Sequence, residues 1–268
     1  MAHHLPERGL RAPPSHWPHA RVLVVDDHGT YRLLMGSLLT KLGVAHHCCS
    51  DGRMALDVLN VERFDLVISD CRMPVMDGYA MTRELRRREK AEGRPPVTVL
   101  ALTASLGPED IRRCMACGMD GWLHKPIGFA QLRKVLHCWL APPNSGGNAA
   151  KCMEVTVVPR GTFPSRASLI EAFGSWEVVA PMLFSLIEEA HADLAVLAAA
   201  QATLDASQAA QCLHRLAGSV AFVGETGLEN SAVALINAVQ VCGVRLNQAD
   251  LDGYRQSVER YLDYLARL

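Results

Sequence analysis

From Arg21 onward the chain alternates short unbroken apolar runs with stretches in which apolar residues recur every three to four positions. RVLVV (21–25) leads into Asp26-Asp27, FDLVIS (64–69) into Asp70 and VTVLAL (97–102) into Thr103, while GWLHK (121–125) closes on Lys125. VAHHCC (44–49) is a further short run. Between and after them, YRLLMGSLLTKLG (31–43), ALDVLN, YAMTRELRRREKAEG, PEDIRRCMACG and FAQLRKVLHCWL follow a helical period, with Gly43 as a helix stop. Five strand–helix units with continuously apolar strands predict an α/β, doubly wound, five-stranded parallel sheet with both faces covered.

The texture changes further along. Residues 141–165, APPNSGGNAAKCMEVTVVPRGTFPS, are rich in Pro, Gly, Ser and Asn and read as a linker. Residues 166–268 carry only helical patterns, Ala- and Leu-rich with short connections, which predict an antiparallel helical bundle. Residues 1–20 lack an apolar core of the secretory kind and read as a disordered lead-in. The expected organisation is therefore a first domain over 21–140, a linker over 141–165 and a second domain over 166–268.

Composition narrows the functional classes. Lys and Arg total 27 against 28 for Asp and Glu, a formal net charge of -1, which gives no footprint for nucleic acid and no polybasic membrane patch. No run of about 18 apolar residues predicts membrane insertion. Nine cysteines, an odd number scattered through both halves, predict reduced thiols and a cytoplasmic setting. Cys114-x-x-Cys117 has no second CxxC to complete a zinc site and reads as buried or incidental thiols. His46, His47, Cys48 and Cys49 alternate across a strand and cannot converge on one ion.

In open parallel sheets, ligands bind beyond the carboxyl ends of the strands. Asp26, Asp27, Asp70, Thr103 and Lys125 all fall at such ends, so residues distant in sequence meet on one rim. Carboxylates held together repel one another unless a cation is present, and hard oxygen donors with room for water suit Mg²⁺. Thr103 adds a hydroxyl and Lys125 an ammonium, the groups a transferring phosphoryl needs around its equatorial oxygens. Asp70 then serves as nucleophile and becomes an acyl phosphate.

VLVVDD, ISDCRMPVMDG, LALTAS and GWLHKP resemble, in order, the signature blocks of bacterial receiver domains, whose sheet is flavodoxin-like. The resemblance implies that Asp70 is the phosphoacceptor, and that Asp27, with Asp26, and the backbone carbonyl of Arg72 hold Mg²⁺. It further implies that Thr103 and Lys125 contact the phosphoryl group and that Lys125-Pro126 is a cis peptide. Trp122 takes the aromatic switch position, alongside Thr103, where the family more often has Tyr or Phe.

In the helical half, Leu213, Leu216, Val220 and Val223 form an apolar stripe, leaving His214, Gly218 and Ala221 on the adjoining face. A mid-helix glycine costs about 1 kcal/mol relative to alanine. Gly218, one turn after His214, would clear space for a partner to approach the imidazole. HRLAGS followed by LENSAVAL resembles the histidine-phosphotransfer (HPt) pattern, which implies His214 as the transfer residue. That family commonly has Lys three residues after its His, a position that is Ala217 here; Arg215, on the adjoining face, is a candidate docking residue.

The order receiver, linker, phosphotransfer domain resembles the C-terminal part of unorthodox hybrid sensor histidine kinases of the virulence-sensor type. It implies a phosphorelay intermediate that accepts a phosphoryl group on Asp70 from an upstream histidine kinase and passes it through His214 to a downstream response regulator. No kinase dimerisation segment or ATP lid is present in the sequence, so the chain is not expected to act as an autonomous kinase. The alternative is a phosphorylation-switched protein whose helical domain docks a partner without phosphotransfer.

Overall fold

The computed structural model describes residues 17–103, 108–140, 163–224 and 226–268. Five parallel strands, β1 (Arg21–Val25), β2 (Ala45–Cys49), β3 (Leu66–Asp70), β4 (Thr98–Thr103) and β5 (Gly121–His124), lie in the spatial order β2-β1-β3-β4-β5. Helices α1 (Gly29–Lys41), α2 (Gly52–Val61), α3 (Gly78–Ala91) and α4 (Pro108–Ala116) join successive strands, and α5 (Phe129–Trp139) follows β5. Side chains alternate across a strand, so the central strands feed two cores. Val22, Val24, Leu66, Ile68, Leu100 and Leu102 pack with α1 and α5. Leu23, Val25, Val67, Val99 and Ala101 pack on the other face with α2, α3 and α4. Covering both faces is what makes these strands read as unbroken apolar runs.

Because β1 lies between β2 and β3, the strand order reverses there. The carboxyl ends of β1 and β3 border the resulting crevice. Asp51 and Asp77 cap α2 and α3 by accepting backbone N–H bonds from the first helical turns. α1 has no such cap of its own; the His28 side chain at its N-cap position makes no capping bond to the first turn.

The second half contains α6 (Arg166–Phe173), α7 (Trp176–Thr203), α8 (Ala206–Ala221), α9 (Leu228–Cys242) and α10 (Gln248–Leu265), packed as a helical bundle. Its long helix α7 lies along α1. Glu189 of α7 supplies the missing cap, its Oε1 accepting from the Thr30 N–H at 2.7 Å, where the positive end of α1 favours a carboxylate. Thr30 Oγ1 donates to Ser185 Oγ at 3.0 Å, and Lys41 Nζ donates to the Gly174 carbonyl at 3.2 Å. Tyr31 meets Phe222 edge-on at 5.5 Å, and Phe222 stacks with Phe173 at 6.4 Å. The α1/α5 core therefore continues without a break into Leu183, Leu186, Leu216 and Phe222 of the bundle.

Several expectations meet the structure differently. Residues 1–16 of the lead-in lie outside the described residues, but Trp17–His19 form a short 3-10 turn, and Trp17 is fully buried with its ring 4.7 Å from His137. Most of the 141–165 linker is likewise outside the described residues. The reduced-thiol reading holds for Cys48, Cys49, Cys71, Cys114, Cys117, Cys212 and Cys242, whereas Cys138 is disulfide-bonded. Among the described residues no single helix is long and apolar enough to cross a membrane. Only α6 and α7 taken together pass by length and composition, and they meet at a 109° bend.

Candidate functional site

The carboxyl ends of β1, β3, β4 and β5 converge as the parallel sheet requires. Lys125 Nζ lies between two of the acids, 2.6 Å from Asp26 Oδ2 and 2.7 Å from Asp70 Oδ2. Asp26 is fully buried, and its Oδ1 accepts from the His28 N–H at 3.0 Å. Asp70 Oδ1 accepts from the Arg72 N–H at 3.2 Å, which ties the turn after β3 to that carboxylate. Tyr31 closes the floor: Lys125 Nζ sits 4.7 Å from its ring, and its hydroxyl accepts from the Ile127 N–H at 3.1 Å. The Lys125-Pro126 peptide is cis.

The rim opens into a cavity of about 480 Å³ whose opposite wall belongs to the helical bundle. Asp27, Asp70, Arg72, Thr103 and Lys125 line one side; His214, Ala217 and Gly218 line the other. His214 is exposed on α8, while Leu213, Leu216 and Val220 of the same helix are fully buried and Val223 nearly so. Gly218 lets the two halves close: a Cβ at that position would stand 3.3 Å from the imidazole of His28. His28 Nε2 donates to the Arg215 carbonyl at 3.2 Å, and its Nδ1 faces Asp27 Oδ1 at 3.5 Å. The Arg215 guanidinium turns instead to Asp193 on α7, at 2.6 Å, so it stands away from the cavity. Trp122 packs against the α2/α3/α4 core.

The electrostatics follow from burial and from charges crowded on one rim. Burial pushes the Asp26 pKa up, with Asp70 adding to the rise and Lys125 opposing it. Burial also acts to raise that of Asp27, but His28 and Lys125 outweigh it and hold the carboxyl below its usual range. For His28, burial disfavours the charged form, yet the bond to Asp27 and the charge of Asp26 raise its pKa. Lys125 is raised as well: its burial is overcome by Asp26 and Asp70. His214 moves the other way, lowered by desolvation in the cleft and by Arg72, with Asp70 and Asp27 opposing. The imidazole is thus held neutral, with a lone pair to offer.

Asp26, Asp27 and Asp70 set three carboxylates against the single ammonium of Lys125, a formal excess of two negative charges (−3 + 1 = −2). The Asp26, Asp27 and His28 ligand atoms all lie within 4.8 Å of one another. Two close aspartates beside a third, in a crevice wide enough for water, fit a divalent cation with a preference for oxygen.

Sequence reasoning missed three participants: His28, Tyr31 and the Glu189 cap. His28 had a signal, since it directly follows the acidic pair at a strand end. Tyr31 and Glu189 carry none: Tyr31 acts through Lys125 and Ile127, far along the chain, and Glu189 through the meeting of α1 with α7.

A parallel α/β unit with an acidic rim, facing a helical bundle that presents one histidine, defines a receiver joined to a phosphotransfer domain. Residues 22–137 match the family model of the response regulator receiver domain and residues 181–267 that of the Hpt domain; the chain belongs to the proteins that join these two. It is 33% identical over 206 residues to the sensor histidine kinase GacS of Pseudomonas protegens, covering 76% of this chain and 22% of that protein. It is 32% identical over 228 residues to the virulence sensor protein BvgS of Bordetella bronchiseptica, covering 82% of this chain and 18% of that one. The chain thus spans about a fifth of the length of these relatives. Among solved structures, the receiver domain of a Pseudomonas aeruginosa sensor histidine kinase with magnesium in its active-site cleft is 31% identical at a TM-score of 0.41. That alignment covers 46% of this chain and 98% of the other.

Proposed function

We propose that this chain is a phosphorelay intermediate in which Asp70 accepts a phosphoryl group from an upstream histidine kinase. His214 takes it from Asp70 and hands it to a downstream response regulator. One observation carries this reading: Asp70 and His214 line opposite walls of the same cavity. In this assignment Asp26, Asp27, Asp70 and the Arg72 carbonyl hold Mg²⁺, which would offset the excess negative charge and draw electron density from phosphoryl oxygens. Lys125 and Thr103 hold those oxygens at the Asp70 end.

The first step is attack of an Asp70 carboxylate oxygen on phosphorus; the second is attack by the neutral His214 imidazole. Docking of the two halves makes that second step intramolecular, with a correspondingly high effective concentration. It also sets the receiver rim against His214, so a separate regulator reaches the imidazole in that rim's place only when the halves part.

The test is to charge the full chain with labelled acetyl phosphate and Mg²⁺ and to separate base-labile from acid-labile label. Label should reach His214 in the unmodified chain and in a His214-bearing chain only when Asp70 is intact. If Asp70→Ala leaves His214 labelling by a kinase unchanged, the order of transfer is wrong.

A further inference from the structure

We propose that the guanidinium of Arg72 is the cation that serves His214 during transfer, so that a receiver residue completes the phosphoryl site on its helical side. The inference rests on the cavity being the transfer site and goes on to name who stabilises the group as it leaves Asp70.

Among the described residues that line the cavity, only Lys125 and Arg72 carry a fixed positive charge. Lys125 is committed to the Asp70 end, held 2.6 Å from Asp26 and 2.7 Å from Asp70 with its side chain 16% exposed. The wall formed by α8 contributes Ala217 and Gly218 beside His214, and neither brings charge. Arg215 is on that helix but is held by Asp193 at 2.6 Å. What remains is Arg72, on the turn two residues past Asp70 and tied to it through its backbone N–H.

The Arg72 side chain is 61% exposed, and its ion pair is with Asp110 of α4 at 3.4 Å. An exposed pair of that length holds weakly. A phosphoryl group offers the same guanidinium two parallel charge-assisted bonds, a stronger and better-shaped partner. Arg72 is moreover the charged side chain with the largest effect on the His214 pKa.

In the transfer, an imidazole nitrogen lone pair forms the N–P bond while the P–O bond to Asp70 breaks. The bonding pair leaves with the Asp70 carboxylate, and the imidazole keeps its N–H proton. The three equatorial oxygens stay charged throughout and move away from Lys125. A donor on a flexible arm, anchored beside Asp70 but reaching toward α8, can follow them.

The experiment uses the full chain, charged on Asp70 with labelled acetyl phosphate and Mg²⁺, and times the movement of label to His214. Arg72→Ala should slow that step by about tenfold, less than the roughly hundredfold loss of a preorganised donor, because the guanidinium sits on a flexible arm. Arg72→Lys should fall between. Ala217→Lys, placed in the Arg72→Ala background, should restore much of the rate by supplying a cation from α8, one turn from His214. Asp110→Asn, which only frees the guanidinium, should not slow transfer. Unchanged transfer in Arg72→Ala overturns the proposal. So does slowing that Ala217→Lys fails to relieve, because Arg72 would then serve only to shape its turn. Failure of the unmodified chain to label His214 at all counts against the relay reading itself, whereas normal transfer that ignores Arg72 counts against this inference alone.

Discussion

The two walls of the Asp70–His214 cavity are built on different principles. On the receiver wall, strand ends from across the sheet deliver acids, a hydroxyl and an ammonium to one point, and each charge is held by another: Lys125 by Asp26 and Asp70, His28 by Asp27. On the bundle wall a single exposed imidazole stands on a helix otherwise chosen for its buried apolar stripe and its small neighbours Ala217 and Gly218. One wall is preorganised for charge; the other is shaped for approach. Substitutions on the first should therefore damage chemistry and stability together, and substitutions on the second should separate them.

Lys125→Met gives the largest expected effect and tests the first half of that contrast. It removes the one cation shared by a fully buried aspartate and by Asp70. Transfer to His214 should fall by about a hundred- to a thousandfold, as for loss of a preorganised electrostatic group. In the absence of Mg²⁺, stability to urea should drop by about 3 kcal/mol, because a buried ion pair loses one partner. Mg²⁺ should restore part of the stability and little of the rate. A variant that kept its stability would mean the rim charges are not interdependent.

Phe222→Ala probes how the walls are held together. Phe222 contacts Tyr31 of the receiver and Phe173 of the bundle. Truncation should cost about 3 kcal/mol, and the unmodified chain should unfold in one transition, since its α1/α5 core runs into the bundle. Two transitions in the unmodified chain would mean that the halves do not share their stability.

This joint is also where sequence reasoning stopped. The strand ends could be placed because unbroken apolar runs and period-3.6 patterns fix which element each residue closes, and parallel topology then forces Asp26, Asp27, Asp70, Thr103 and Lys125 together. Nothing comparable fixes a helix against a helix from another domain. α1 carried only a faint trace of its second neighbour: Tyr31, Leu34, Met35, Leu38 and Leu39 are spaced as one apolar stripe, and His28 is a poor N-cap. Read alone, those features describe a helix with an ordinary core face. Their meaning depends on Glu189 and Phe222, more than a hundred residues downstream.

Gly218→Ala tests the second wall by setting helix propensity against fit. Within α8 the change should add up to about 1 kcal/mol of stability. The new methyl would stand 3.3 Å from the His28 ring, which must shift by a few tenths of an ångström and weaken its bond to the Arg215 carbonyl. Transfer should slow about fivefold while the urea midpoint holds or rises, a modest rate penalty for loss of close approach. Parallel losses in both would mean that Gly218 serves the fold rather than docking.

The smallest effect expected is one of pH, and it reports on docking directly. Desolvation in the cleft and the Arg72 guanidinium lower the His214 pKa, so the folded chain binds fewer protons there than the unfolded chain. Stability should accordingly rise with pH across the interval between the folded value and the unperturbed one of about 6.5, and this contribution should be flat above it. Transfer, which needs the neutral imidazole, should gain rate around the folded midpoint alone and already be level at pH 7. An NMR titration of the His214 ring in the full chain should place its midpoint below about 6.5. Arg72→Ala should move that midpoint upward, because the largest charge-based cause of the depression is gone. A midpoint already at the unperturbed value in the unmodified chain would mean that His214 faces water rather than the receiver rim, and the contrast between the two walls would then have no shared cavity to act across.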